Sequence, residues 1–309
     1  MDKNLKEIID VLPNDVNSLI KGRSDVNMLQ EIRLRVNRPI CMQIGNKEVV
    51  TSYITNMEEI KFIVQRISNY SIYAFEEEIR QGYITIKGGH RVGLSGNCVM
   101  ENESVKTIKN ISSINIRVCR QVIGCGKKLV PFILEGNDVL NTIIISPPKC
   151  GKTTILRDIS RILSNGYLNI PGKKISVVDE RSEIAACYMG VPQLDIGIRS
   201  DVYDNCIKSE GIIMAIRALS PEVIICDEIG TEKDMYSIIQ AINSGVNVIT
   251  TIHGFGVEDL FKRKVFSNII DNKVFSRAIV LSNRKGISTI ESVYDLSKNK
   301  KIWGEGDVS

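Results

Sequence analysis

Residues 141–159 read N-T-I-I-I-S-P-P-K-C-G-K-T-T-I-L-R-D-I: a buried apolar strand, a loop of turn formers, and an amphipathic helix beginning near Gly151. In that order, successive backbone N–H groups and a helix N-terminus form a site for anionic phosphates, because unpaired donors and the helix dipole both favour negative charge. On this reading Ser146, Pro147, Pro148, Lys149, Cys150, Gly151, Lys152, Thr153 and Thr154 cradle a nucleotide. Lys152 reaches the β- and γ-phosphates and Thr153 ligates magnesium. The consensus loop starts on glycine, where this chain has Ser146. Pro147 and Pro148 compensate by pre-setting the loop, since proline fixes φ and lowers the entropy of the unfolded chain. A chance G-K-T-T at a helix start is the bland alternative, so the loop must be weighed together with the strands downstream of it.

Those strands alternate regularly with helices. Short apolar strands at 142–146, 174–179, 223–227 and 246–251 are separated by helical stretches at 152–164, 209–219 and 232–243. Such alternation predicts an α/β domain with a mostly parallel sheet covered by helices on both faces. In a parallel sheet the carboxyl ends of all strands share one edge. The run V-I-I-C-D-E (223–228) therefore delivers Asp227 and Glu228 to the cradle. Asp227 is expected to hold magnesium through water and Glu228 to polarise the attacking water. The strand V-N-V-I-T-T-I-H-G (246–254) brings His253 to the same edge, to bond the γ-phosphate or the water and report nucleotide state. Between cradle and metal strand, K-I-S-V-V-D-E-R-S-E-I-A (174–185) ends in Asp179, Glu180, Arg181 and Glu183. That concentration of charge after a buried strand points to active-site work, with the acid that faces the nucleotide left open.

Upstream the texture differs. Short helices at 4–12 and 15–21 precede E-I-R-L-R-V-N-R, whose alternation of Ile32, Leu34 and Val36 with Arg33 and Arg35 is that of a half-buried strand. Pro39 interrupts it, and Ile40, Met42 and Ile44 resume the period of two before a Gly45-Asn46 turn. Residues 57–67 and 73–80 read as helices, Y-I-T-I-K-G-G-H-R-V-G-L-S-G as two strands around Gly88-Gly89, and 114–120 as one more. Gly124, Gly126, Lys127, Lys128 and Pro131 mark a linker. The expected division is a smaller α+β domain over 1–125 and the nucleotide domain over 126–309. The K-N-K-K run at 298–301 reads as a solvated charge run.

Arg80, Arg91, Arg117 and Arg120 precede the linker, and an arginine supplied across a subunit boundary can neutralise charge on a transferred phosphoryl group. Arg117 is the preferred one.

Composition sets the limits. The chain has 309 residues, 43% apolar and 25% charged, with a net charge of +4 from 40 basic and 36 acidic side chains, too small an excess to name a nucleic-acid partner. Its eight cysteines contain no C-x-x-C pair, which points to reduced thiols of a cytoplasmic protein rather than disulfides or zinc. The start, MDKNLKEIID, lacks the apolar core of a signal peptide, so the expected location is cytoplasmic or, at most, peripheral to a membrane.

Together, S-P-P-K-C-G-K-T-T-I-L-R-D-I, V-V-D-E-R-S-E-I-A, D-I-G-I-R-S-D-V-Y-D, P-E-V-I-I-C-D-E-I-G and T-T-I-H-G resemble the stage III sporulation AA family of endospore-forming bacteria. E-I-R-L-R-V-N-R-P and G-G-H-R-V-G-L-S-G extend the likeness upstream. That family is similar in turn to the hexameric ATPases of type II and type IV secretion and pilus systems, of the RecA-like P-loop group. The resemblance implies ATP and Mg2+ as ligands, Lys152 and Thr153 in the Walker A motif, and Asp227 and Glu228 in Walker B. It puts Asp179, Glu180 and Glu183 in the region of an acidic box and His253 in a histidine box. It further implies a homohexamer on the cytoplasmic, mother-cell face of a membrane-embedded secretion-like complex. The tetracysteine zinc module of many type II secretion ATPases is absent from this sequence.

The alternative function is a nucleic-acid-dependent RecA-like ATPase. Arg33, Arg35 and Arg38 have few neighbouring aromatics, whereas single-strand binding needs stacking rings, and about fifty residues follow His253, little room for an appended module. A nucleotide-binding scaffold without turnover is the non-enzymatic alternative, and the presence of Lys152, Asp227 and Glu228 argues against it.

Overall fold

The computed structural model describes residues 3–262, 266, 273–286 and 288–304. The chain forms two compact units: Met1–Arg120 with Ala186–Gln193, and Gln121–Ala185 with Leu194–Ser309.

The first unit opens with α1 (Lys3–Val11) and α2 (Asn14–Lys21), then β1 (Leu29–Arg35), β2 (Pro39–Ile44) and β3 (Lys47–Ile54). Next come α3 (Met57–Ile67), α4 (Glu76–Arg80), β4 (Tyr83–Ile86), β5 (His90–Glu101) and β6 (Ser104–Arg117). The six strands form one sheet in the order β3-β2-β1-β6-β5-β4, with every pairing antiparallel. Leu29, Ile32 and Leu34 of β1 face a core shared with Ile60 and Ile63 of α3 and Ile114 and Ile116 of β6. A reciprocal cap starts α3: Asn56 Oδ1 accepts from Glu59 N and Glu59 Oε2 accepts from Asn56 N.

Three details differ from the sequence-based expectation. Pro39 starts β2 rather than interrupting a strand, as the bend lies at Asn37 with φ +59°. The helix expected over 73–80 is α-helical only from Glu76, after a 3-10 turn at Ile72–Phe75. The strand expected at 114–120 is the end of β6, which runs with β5 as a long hairpin. Its turn, Asn102 and Glu103 at φ +47° and +62°, has the doubly left-handed geometry of tight hairpins, which a glutamate in the second place conceals. Residues 186–193 pack within this unit. Gln193 Oε1 accepts from Gly88 N at 2.8 Å, and a Cβ on Gly89 (φ +76°) would lie 2.9 Å from Ala186 Cβ.

The second unit begins with α5 (Val130–Ile133) and a small hairpin, β7 (Leu134–Glu135) and β8 (Asp138–Val139). Its main succession is β9 (Thr142–Ser146), α6 (Lys152–Asn165), β10 (Ile175–Asp179), β11 (Ser200–Asp204), α7 (Lys208–Ala218), β12 (Val223–Cys226), α8 (Glu232–Asn243) and β13 (Asn247–His253). It closes with α9 (Glu258–Lys262), β14 (Arg277–Ser282), β15 (Thr289–Asp295) and β16 (Lys300–Gly304). The main sheet has the order β11-β10-β12-β13-β9-β14-β15-β16. From β11 to β14 all neighbours are parallel, and β15 and β16 add antiparallel, so the sheet is mixed. Ile143, Ile145, Ile224 and Val248 pack with Ile212 of α7 and Ile238 of α8. The intervening Ile144, Ile225 and Ile249 point to the other face and are equally buried, the pattern of a sheet covered on both sides.

The run 298–301 is not simply solvated: β16 pairs with β15 through Lys300 and Lys301. Its two adjacent, exposed lysines open an outer strand, where charge discourages further pairing and masks the strand pattern. Among the described residues no helix is long and apolar enough to cross a membrane.

Candidate active site

The sheet order decides which side chains can meet. β13 lies between β9 and β12, and its last residue, His253, is in register with Ser146, the last residue of β9. The loop after β9 and the acids after β12 thus flank the end of β13 on one sheet edge.

The loop itself needs a left-handed backbone at Lys149 (φ +61°) and Gly151 (φ +83°), the residue that caps α6. Ser146 needs none, being a fully buried strand residue whose carbonyl accepts from Gly254 N and from Lys152 Nζ. The first position of the loop therefore makes no conformational demand for glycine here. Lys152 Nζ also reaches the Pro147 carbonyl at 3.4 Å and His253 Nδ1 at 2.6 Å. Burial pushes the Lys152 ammonium below its ordinary pKa, opposed by the nearby charges of Asp227 and Glu228.

Thr153, one residue into α6, donates from Oγ1 to Asp227 Oδ2 at 2.7 Å. The other Asp227 oxygen accepts from Thr251 Oγ1, which itself accepts from Glu228 N at 2.9 Å. Glu228 takes φ +38°, a left-handed backbone in a residue that rarely adopts one, and its Oε1 stands 3.1 Å from His253 Nε2. Lys152, His253 and Glu228 thus form a continuous chain of polar contacts, beside a second chain from Thr153 through Asp227 to Thr251.

The acids after β10 divide by role. Asp179 is buried and accepts from the backbone N–H groups of Glu183, Ile184 and Ala185 at 2.8–2.9 Å, so it folds the loop that comes after it. Burial pushes its carboxyl up to about 6 despite those donors. Glu180 pairs with Lys208 of α7 at 2.7 Å. The Glu183 carbonyl accepts from Arg157 of α6 at 2.6 Å. Glu180, Glu183, Asp227 and Glu228 line a cavity of about 680 Å³ that also touches Lys208 and the start of α8.

The arginine candidates lie in the first unit. Arg117 stands on β6 across from Glu31 on one side and Arg91 on the other, and Arg91 covers the Tyr83 ring at 4.1 Å. Arg80 pairs with Glu77 at 3.2 Å. Arg120 donates to the carbonyls of Asn27 and Leu29, a structural duty.

Two polar contributors escape a reading of the sequence alone. Thr251 is hidden inside a buried strand whose hydroxyl residues look like ordinary β formers, although T-T in an otherwise apolar run is a usable signal. Lys208 opens a helix after a loop, where a lysine looks solvated, and only the fold brings it to Glu180 and to the Glu228 carbonyl.

Comparison with known proteins bears on the fold and the family. Against solved structures, the fold resembles the Legionella pneumophila ATPase DotB, with a TM-score of 0.61 at 14% identity over 92% of this chain and 81% of that one. It also resembles the pilus retraction motor PilT with bound ADP, with a TM-score of 0.56 at 16% identity over 89% of this chain and 80% of that one. In sequence, it is 43% identical over 297 residues to the stage III sporulation protein AA of Bacillus subtilis (strain 168), covering 96% of each chain. Residues 2–301 match the family described as Sporulation stage III, protein AA. The family match over residues 2–301 and the 43% identity over 96% of the chain make this chain a member of the sporulation stage III protein AA family.

Proposed function

We propose that the chain is a magnesium-dependent ATPase of the RecA-like P-loop kind. In this reading it is a motor or assembly enzyme, a homohexamer at the cytoplasmic face of a membrane-embedded, secretion-like complex on the mother-cell side of endospore formation. The observation that carries the catalytic part is the convergence of Lys152, Thr153, Asp227, Glu228 and His253 on one sheet edge, each within hydrogen-bond reach of another. The fold shared with DotB and PilT and the name of the Bacillus subtilis relative support the wider role.

Residues 126–309 form the catalytic domain in this reading and 1–125 the smaller α+β domain. The loop from Ser146 to Thr154 holds the nucleotide phosphates and Lys152 neutralises them. Thr153 and Asp227 suit magnesium: a hydroxyl and a carboxylate 2.7 Å apart are the small oxygen set this ion takes beside water and phosphate. Bound there, magnesium would neutralise charge on the β- and γ-oxygens. Glu228 accepts a proton from the attacking water, and His253, between Glu228 and Lys152, positions that water and registers the γ-phosphate. Glu180 and Glu183 shape the cavity beside Asp227, and Arg117 acts on a neighbouring subunit's nucleotide.

The test is ATP turnover by the full chain with Lys152→Ala and Glu228→Gln beside it, with and without magnesium and single-stranded DNA. We expect magnesium-dependent turnover that both substitutions abolish and DNA leaves unchanged. Turnover no greater than in the two variants overturns the enzyme, and strong DNA stimulation replaces the motor with a nucleic-acid-dependent ATPase. Solution mass with ATP and magnesium tests the hexamer, and a strict monomer removes the arginine in trans.

A further inference from the structure

We infer that Lys208 is a positioning residue for Glu228: its ammonium fixes the Glu228 carbonyl and so holds the left-handed turn that aims the carboxylate. This rests on the reading of Glu228 as the residue that activates water.

The backbone at Glu228 is held on three sides. Its N–H donates to Thr251 Oγ1 at 2.9 Å, its carbonyl accepts from Lys208 Nζ at 3.0 Å, and the next N–H, of Ile229, donates to the Thr251 carbonyl at 3.0 Å. A non-glycine residue at φ +38° persists only where its surroundings over-determine it. Thr251 supplies two of the three ties from β13, and Lys208 supplies the one from the opposite side. With both in place the Glu228 side chain leaves the turn toward His253, 3.1 Å away.

Lys208 is badly placed for any ordinary duty. It is the first residue of α7, where the helix dipole opposes a cation, and it is 6% exposed, where an ammonium is costly without partners. A residue chosen only to start the helix would be Asp, Ser or Thr just before it. Burial pushes the Lys208 ammonium down, yet its hydrogen bond to Glu180, 2.7 Å away, and nearby negative charge hold it above the usual lysine value, so it stays charged. One ammonium thereby joins the acidic loop after β10 to the turn after β12, and a shift of either is felt by the other. That makes Lys208 the link by which movement at Glu180 would reach Glu228.

The experiment compares full-length wild type, Lys208→Met and Lys208→Arg in three measurements: kcat and KM for ATP, binding of a fluorescent ATP analogue, and amide hydrogen exchange across 226–230. Lys208→Met should lower kcat at least tenfold, keep analogue affinity within about threefold, and speed exchange at Glu228 and Ile229 more than tenfold. Lys208→Arg, which restores a cationic donor, should recover much of both. Unchanged kcat beside an active wild type overturns the inference, as does a loss of analogue affinity as large as the loss of kcat. If wild type itself shows no turnover, the catalytic reading has failed on its own, and unchanged exchange in Lys208→Met would still sink the positioning role.

Discussion

The Lys152 ammonium lies 2.6 Å from His253 Nδ1, and His253 Nε2 lies 3.1 Å from Glu228 Oε1. A lysine ammonium has three donors and no acceptor, so Nδ1 must accept and the ring proton sits on Nε2, toward the carboxylate. The histidine thereby joins the Lys152 ammonium to the Glu228 carboxylate. Nitrogen-15 spectra of labelled histidine should show Nδ1 unprotonated and Nε2 protonated, with His90 assigned separately by substitution. His253→Ala should lower kcat by about 10²-fold while ATP still binds. A protonated Nδ1, or a variant that turns over like wild type, would sink this assignment.

Thr251 carries a second prediction. Its hydroxyl donates to Asp227 and accepts from Glu228 N, and Thr251 itself is fully buried. Thr251→Val keeps the shape and removes both bonds, leaving a carboxylate oxygen short of a donor and an N–H without an acceptor. Each such loss costs about 1–3 kcal/mol, so urea unfolding should show a clear drop in stability. Turnover should fall with it, and Thr251→Ser should restore most of both. Equal stability of the valine variant would mean the hydroxyl is not the clamp.

How far these contacts are legible in the sequence depends on how local their cause is. Asp227, Glu228 and His253 are readable because apolar strands ending in polar residues bring those residues to one sheet edge in any parallel sheet. The same logic misses β15, which returns antiparallel from β14, and β16, where Lys300 and Lys301 hide the strand. Asp179 reads as one charge of a cluster, but its carboxylate is spent on three backbone N–H groups of its own loop, which only tertiary folding reveals. Ser146 looks like a defect in sequence, and the geometry removes the objection because it sits inside β9 with no left-handed demand. Lys208 is illegible because its partners come from the loops after two separate strands, β10 and β12.

Asp179 gives a pH prediction with a definite sign. Burial raises its folded pKa to about 6 from an ordinary value of 3.8, so between those values the folded state holds a proton that the unfolded state has lost. Stability from this group is therefore greatest at low pH, declines as pH rises from about 4 to 6, and is flat above. A rise of that size corresponds to about 3 kcal/mol. Asp179→Asn removes the titration along with one acceptor. The stability difference between wild type and Asp179→Asn, from chemical denaturation, should move against wild type by about that amount between pH 4 and pH 7. A difference that does not change with pH would show that Asp179 ionises normally in the fold.

The contact of α7 with β10 rests on a glycine, and this gives the last prediction. A Cβ built on Gly211 would lie 2.6 Å from Val178 Cγ1 and 3.1 Å from Cys206 Sγ. Within a helix, alanine is ordinarily better than glycine by about 1 kcal/mol. Here the added methyl meets the fully buried, β-branched Val178 on the strand that ends in Asp179, a side chain stiff about χ1 in a close-packed interior. Overpacking of this kind costs about 1–3 kcal/mol, so it outweighs the helical gain and the variant should melt lower. Displacing α7 also carries Lys208 away from the Glu228 carbonyl, so turnover should fall in the same variant. Val178→Ala removes both γ carbons and opens the space. In a double-mutant cycle, Gly211→Ala should therefore cost less in that background than in wild type, by about 1 kcal/mol or more on the ordinary scale of couplings between touching residues. If alanine at 211 stabilises the protein, the close approach of α7 to β10 is not what glycine serves.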